Sequence, residues 1–192
     1  MCPNLLGDAR LYVLLLKCDL DVASEWRAAG CACSGVLHSA RFPRKPCGAT
    51  VALPEGYDRR ESFCCAEEGC RKRTTPPSVR FLGRKVYLGA VVTLVSALRY
   101  GPTARRVAEL RRVIGASRRT LARWRTWWLE VFATTPFWRA ARALVPDAPS
   151  SELPASLLAS IVESDEVLRL YRFLDFIKPV TTRSGGGKSM VA

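Results

Sequence analysis

Apolar positions recur at helical spacing at both ends of the chain and lose that rhythm in between. Leu11, Leu14, Leu15, Cys18, Val22 and Trp26 recur at roughly the spacing of one helix face. Asp8 can cap the start and Gly30 ends the pattern, so residues 4–29 are expected to be helical. From Val79 the periodicity returns. Val79 to Leu82 suits a short strand, and Tyr87 to Tyr100 reads as a helix closed by Gly101-Pro102. Thr103 to Phe132 reads as helical with one break at Gly115-Ala116-Ser117, and Pro136 opens another short helix through Leu144. Pro146, Pro149 and Pro154 with Ser150 and Ser151 mark a turn. Leu157, Leu158, Ile161 and Val162 follow it, and Val167, Leu168, Tyr171, Leu174 and Phe176 suggest a last helix. Thr181 to Ala192, with Gly185-Gly186-Gly187, is expected to be disordered.

The stretch without rhythm, residues 30–78, holds six of the eight Cys and the single His. Such a loop-rich module cannot build a core alone, and something must staple it. Its cysteines fall as Cys31-x-Cys33, a distant Cys47, then Cys64-Cys65-x4-Cys70. Two close-set groups about 30 residues apart are the pattern of a zinc ribbon, in which turns between strands present four thiolates to one Zn²⁺. Cys31, Cys33, Cys65 and Cys70 are the expected ligands. Cys64 competes with Cys65, because adjacent strand residues point to opposite faces. Cys47 and His38 are reserve ligands. Val36-Leu37-His38 and Ser62-Phe63 would supply the strands. The competing reading makes these cysteines buried small hydrophobes. Cys2 and Cys18 lie outside the cluster.

Charge changes the picture of partners. The 192 residues carry 30 Lys and Arg against 17 Asp and Glu, a formal +13, with 48% apolar residues, so the chain folds and is surrounded by a positive field. Only six of the basic residues are Lys. Arginine forks match phosphate and guanine edges, although codon usage in a G+C-rich genome also raises Arg. The apolar runs Leu11–Leu16 and Leu88–Leu98 fall short of the roughly 20 residues of a membrane span, and Asp19, Asp21 and Glu25 follow the first too closely for a secretory signal. A cytoplasmic, nucleoid-associated address is expected, where clustered Cys bind metal more often than they form disulfides.

Arginine concentrates where the helical pattern breaks. Between Arg99 and Arg125 stand nine Arg and one acid, Glu109. Val107, Leu110 and Ile114 share one face, Gly115 tolerates the left-handed corner, and Ser117 can cap a second helix whose inner stripe is Leu121, Trp124 and Trp128. Two helices across a short Gly turn describe a helix-turn-helix. Arg118 and Arg119 at the start of the second helix would meet bases and Thr120 a base or a phosphate, with Arg123 and Arg125 beyond them. Arg105, Arg106, Arg111 and Arg112 would lie along the backbone. Arg71, Lys72 and Arg73 after the last Cys offer a further phosphate grip. One feature departs from the motif, Arg111 standing four residues before the turn Gly, where a small residue is usual. The competing reading is an antiparallel helix pair with a solvated basic face.

A Cys-rich ribbon ending CCAEEGCRKRTTPPSVRFLGRKVYLGAVV, followed by helices ending VIGASRRTLARWRTWW, resembles the zinc-ribbon and helix-turn-helix proteins of bacterial insertion sequences, the InsA-like and related transposase N-terminal regions. The resemblance covers about residues 28–130, with the first Cys pair compressed. It implies Zn²⁺ on Cys31, Cys33, Cys65 and Cys70, DNA-facing Arg118, Arg119 and Arg123, double-stranded DNA and a transposase subunit as partners, and binding without the nuclease. Nuclease chemistry would need carboxylates gathered around two Mg²⁺. Here Asp165-Glu166 and Glu67-Glu68 have no strand to carry them, and no catalytic residue is expected. A transcriptional regulator of the same build and a protein adaptor using the ribbon and Trp124, Trp127, Trp128, Phe132, Phe137 and Trp138 are the alternatives, and a homodimer formed through these aromatic residues would suit palindromic or repeated sites. The expected fold is mostly α with a small β zinc ribbon. Its segments are an N-terminal helical segment 1–29, the ribbon 30–78, the helix-turn-helix 79–135, a C-terminal helical region 136–180 and the tail 181–192.

Overall fold

The computed structural model describes residues 3–82, 87–98 and 103–182. The expected helix end at Gly101-Pro102, Cys2 and the tail beyond residue 182 lie outside them. The fold is mostly α with a small β region. A short α1 (Pro3–Leu6) leads into the long α2 (Ala9–Ala28), whose first turn is capped by the Asp8 carboxylate accepting from the Arg10 amide. The ribbon follows. Strands β1 (Leu37–Ser39), β4 (Phe63–Cys65) and β5 (Arg73–Thr74) form one antiparallel sheet in the order β1-β4-β5, and β2 (Phe42–Pro43) pairs with β3 (Arg59–Arg60) in a second. The register sets Leu37 opposite Cys65 and His38 opposite Cys64.

The helical body comprises α3 (Gly89–Ser96), α4 (Ala104–Ile114), α5 (Arg118–Thr126), α6 (Pro136–Ala141), α7 (Ala155–Ser160) and α8 (Glu166–Ile177). After α5 the chain continues as a π turn over Trp127–Val131 and a 3-10 turn over Phe132–Thr134. Trp124, Trp128 and Phe132 therefore stay on the inner side and meet Trp138 of α6 and Phe173 of α8. The aromatic residues considered for an adaptor surface are thus mainly core. Trp127 and Phe137 are half-buried and pack against it.

Two expectations need correction. Val79–Leu82 is not a strand, apart from a single bridge between Phe81 and Leu88. Its polar groups are engaged elsewhere: the Val79 amide and the Ser78 hydroxyl donate to Asp19 of α2 at 2.7 and 2.5 Å. The inward face of α2 is also rotated from the predicted stripe. It consists of Leu11, Tyr12, Leu15, Asp19 and Ala23, with Trp26 exposed.

The reason for both is a buried ion pair. Arg80 Nε donates to Asp19 Oδ2 at 2.7 Å, and the two side chains are 0 and 1% exposed. The remaining guanidinium nitrogens donate to the Tyr57 and Arg59 carbonyls at 2.7 and 2.9 Å, and the cation lies about 5 Å from the ring centres of Tyr57 and Phe81. A charge can be buried when it meets a counter-charge and each of its nitrogens donates in this way. The cluster ties together α2, the ribbon and the start of the helical body. Beside it Arg60, pushed down to about 10 chiefly by burial, donates to the Pro76 carbonyl.

Candidate metal centre and basic helix pair

The two Cys turns close on each other because β1 and β4 pair. In the first turn the Ser34 amide donates to the Cys31 carbonyl and the Cys31 amide to Gly35, with Ser34 at positive φ. In the second, the Cys70 and Arg71 amides both donate to the Glu67 carbonyl. The result brings the Sγ atoms of Cys31, Cys33, Cys65 and Cys70 within 4.8 Å of one another. Cys33 and Cys65 stand 3.4 Å apart, Cys31 and Cys70 3.7 Å. Sulfurs at the corners of a tetrahedron with metal–sulfur bonds of about 2.3 Å would be about 3.8 Å apart.

Backbone amides point at three of the sulfurs. The Cys33 amide donates to Cys31 and holds that thiol down to about 7. The Glu67 and Lys72 amides donate to Cys65 and Cys70 in the same two-residue step. Burial nevertheless pushes Cys65 up to about 12. Cys70 also stands above its ordinary value, because its hydrogen bonds with Cys33 and Cys31 outweigh the Lys72 amide. A bound cation would remove that conflict by neutralising the thiolates together. Space is reserved too. A Cβ on Gly35 would come within 2.7 Å of Cys65 Sγ and 2.6 Å of Glu67 Cγ, so only Gly lets the backbone pass so close to the sulfurs. Gly35 was not among the predicted site residues, although a Gly two residues beyond Cys33 is a readable sign. The donor set suits a structural metal ion.

Strand alternation separates the two adjacent cysteines. Cys65 faces inward with Leu37 and Phe63, whereas Cys64 contacts the Arg71 carbonyl on the other face. Cys64 is paired across the sheet with His38 and Arg73. Cys47 contacts the Lys45 carbonyl instead. Cys64, Cys47 and His38 are therefore not part of the four-sulfur group. Arg71, Lys72 and Arg73 are exposed just beyond it.

The second site is the α4–α5 pair. Thr103 caps α4, Gly115 closes it in the left-handed conformation at φ 71°, and the Ser117 hydroxyl accepts from the Thr120 amide to start α5. Ile114, Ala116, Leu121 and Trp124 are buried at this corner. Tyr87 donates to the Gly115 carbonyl at 3.0 Å and meets Trp124 edge-on. Arg105, Arg111, Arg112, Arg118, Arg119, Arg123 and Arg125 are exposed, and Arg106 is half-buried. Among the described residues only Arg106 of this set has an acidic partner, Glu109 at 3.6 Å. Arg119 and Arg123, one turn apart, point directly away from the inner stripe. Arg118 and Arg125 sit on its flank, lining a cleft of about 540 Å³ against Ser151–Leu153. The Thr120 hydroxyl is tied to Ser117 at 3.0 Å, within the helix cap. Arg111 is exposed, so the bulky residue before the turn does not crowd the corner.

Among the described residues no helix is long and apolar enough to cross a membrane. The acid pairs also have local positions: Asp165 caps α8 and Glu67 anchors the second Cys turn. Compared with protein-family models, with curated proteins and with solved structures, the chain matches none.

Proposed function

We propose that this chain is a zinc-stabilised, sequence-specific DNA-binding protein. In this reading Cys31, Cys33, Cys65 and Cys70 hold a structural Zn²⁺, the ion that four thiolates in tetrahedral array suit best. With four protein ligands such an ion has no open position, so it organises the ribbon and leaves recognition to the Arg-rich helices. The observation that carries the reading is the α4–Gly115–α5 corner, with exposed Arg on both helices and a single acidic partner among the described residues. Arg118, Arg119, Arg123 and Arg125 of α5 would enter the major groove, Thr120 would contribute from the first turn, and Arg105, Arg106, Arg111 and Arg112 would follow phosphates. Arg71, Lys72 and Arg73 would extend the footprint. By its resemblance to the zinc-ribbon and helix-turn-helix proteins of insertion sequences, it would act in transposition as a helper that binds element ends with a transposase subunit.

Selection of bound duplexes from a random pool, at near-physiological salt with zinc present, tests this. An enriched motif is expected, and its place at element ends or at promoters separates transposition from regulation. R118A/R119A should flatten the preference by about 1–3 kcal/mol per base contact. Binding without enrichment, or none, would overturn sequence-specific recognition.

A further inference from the structure

The cleft on the flank of α5 has a volume of about 540 Å³, inside the range of about 300–1,000 Å³ typical of small-molecule sites. Leu121 and Ala122 of α5, with Leu129 of the following turn, form one side of it. Val95 and Leu98 at the end of α3 and Leu153 ahead of α7 face them. Three charged side chains stand among these apolar walls: Arg118, Arg125 and Glu152. Among the described residues neither arginine forms an ion pair, with Glu152 or with any other acid. The cleft therefore joins apolar walls to an excess of positive charge. A purely apolar occupant would cover guanidinium groups without giving them a counter-charge. A compact polar anion would leave the apolar walls wet. An anion with an apolar body satisfies both. Helix α5 has nine residues, about 14 Å, and the facing wall is the short 151–155 segment, dimensions that suit a small molecule better than a docked helix.

We infer that this cleft binds a monocarboxylate with an apolar body, of the medium-chain fatty-acid type. Arg118 takes the carboxylate, since its planar fork matches two oxygens and it is the first residue of α5, where the free amides of the helix add positive potential. Arg125 lies seven residues on, about 10 Å along the axis, so the body rests on Leu121 and Ala122 between the two cations. Glu152 is the one unfavourable group, and it weakens the site for an anion. Arg118 is also among the side chains assigned above to base contacts, so a filled cleft withdraws it from DNA. That consequence rests on the DNA-binding reading, whereas the carboxylate site does not.

The test therefore begins with the zinc-loaded full chain and no nucleic acid. Titration calorimetry with decanoate, kept below its micellar concentration, should give one site per chain with a dissociation constant on the order of 10–100 μM. Decanol and decylamine, of equal length without the negative charge, should bind at least tenfold more weakly. R118A should weaken decanoate binding at least tenfold and R125A several-fold, while E152Q should tighten it. Ala122 is exposed, so A122W should fill the cleft and abolish binding with its melting temperature kept. No binding of decanoate, decanol bound as tightly, or an A122W protein that binds as before would each overturn the site. With a duplex taken from the selection above, saturating decanoate should weaken DNA binding several-fold, and an unchanged affinity would overturn the competition for Arg118.

Discussion

The ribbon and the helical body solve the same stability problem with different materials. The body buries Trp128, Phe132, Trp138, Leu157, Phe173 and Ile177 almost completely in one continuous core. The ribbon lends Tyr57 to that core, with Ala49, Val51 and Leu53 packed on it, and otherwise gathers only Cys31, Leu37, Phe63 and Cys65, with Ala23 of α2 and the half-buried Cys70, into a cluster of its own. Three of those six are members of the four-sulfur group. A core that small cannot offset the entropy of ordering nearly 50 residues. The ribbon must therefore draw on the metal centre and on its polar ties to α2, whereas the body needs no metal.

Metal removal should break this comparison most visibly. With a strong chelator, or in C70S, amide exchange protection should vanish across residues 30–78 while α3–α8 stay protected. Zinc-finger peptides derive about 10–16 kcal/mol from their ion, so the ribbon has no reserve to replace it. Unchanged protection and metal content in C70S would remove Cys70 from the ligand set. The opposite perturbation is W128A, which empties the aromatic core and should cost about 3–5 kcal/mol in the body. Chemical denaturation followed through the remaining tryptophans measures it. If W128A melted the ribbon first, the two regions would not differ as described.

The joint between them is tested by D19A. Removing the carboxylate leaves the Arg80 guanidinium buried without its counter-charge, a loss of about 3–5 kcal/mol for a buried pair. It should lower the unfolding midpoints of ribbon and body together, because Arg80 reaches both. A midpoint shift confined to one region would show that the pair is not their link. The smallest effect is expected at Gly115. A Cβ there meets nothing within 4 Å, so G115A should cost only the backbone strain of a left-handed residue, about 1–2 kcal/mol. A larger loss would mean that the corner is packed more tightly than its open surroundings show.

The parts legible in the sequence are those decided by local chemistry. Asp8 and Ser117 cap helices because short polar side chains reach the first free amides, and Gly115 turns because it lacks a Cβ. The stripe of Leu121, Trp124 and Trp128 is likewise a property of helical pitch. Cysteine spacing singled out the four sulfurs that the structure brings together. It could not choose between Cys64 and Cys65, since that choice depends on which face of β4 turns inward, and the pairing of Leu37 with Cys65 sets it.

What escaped the sequence is long-range and polar. Asp19 and Arg80 look like any two charges among 47 ionised side chains, and nothing in a 61-residue separation announces that they will meet in the interior. Their pairing rotates the inner face of α2 and diverts Val79–Leu82 from a strand into the joint. Local pattern by itself determined where caps and corners fall and which two groups of cysteines can approach one ion. Tertiary structure alone decided how α2 is turned and which charges are buried. The reason is that a buried charge is stable only when distant groups supply all its hydrogen bonds at once, a condition that no single stretch of sequence contains.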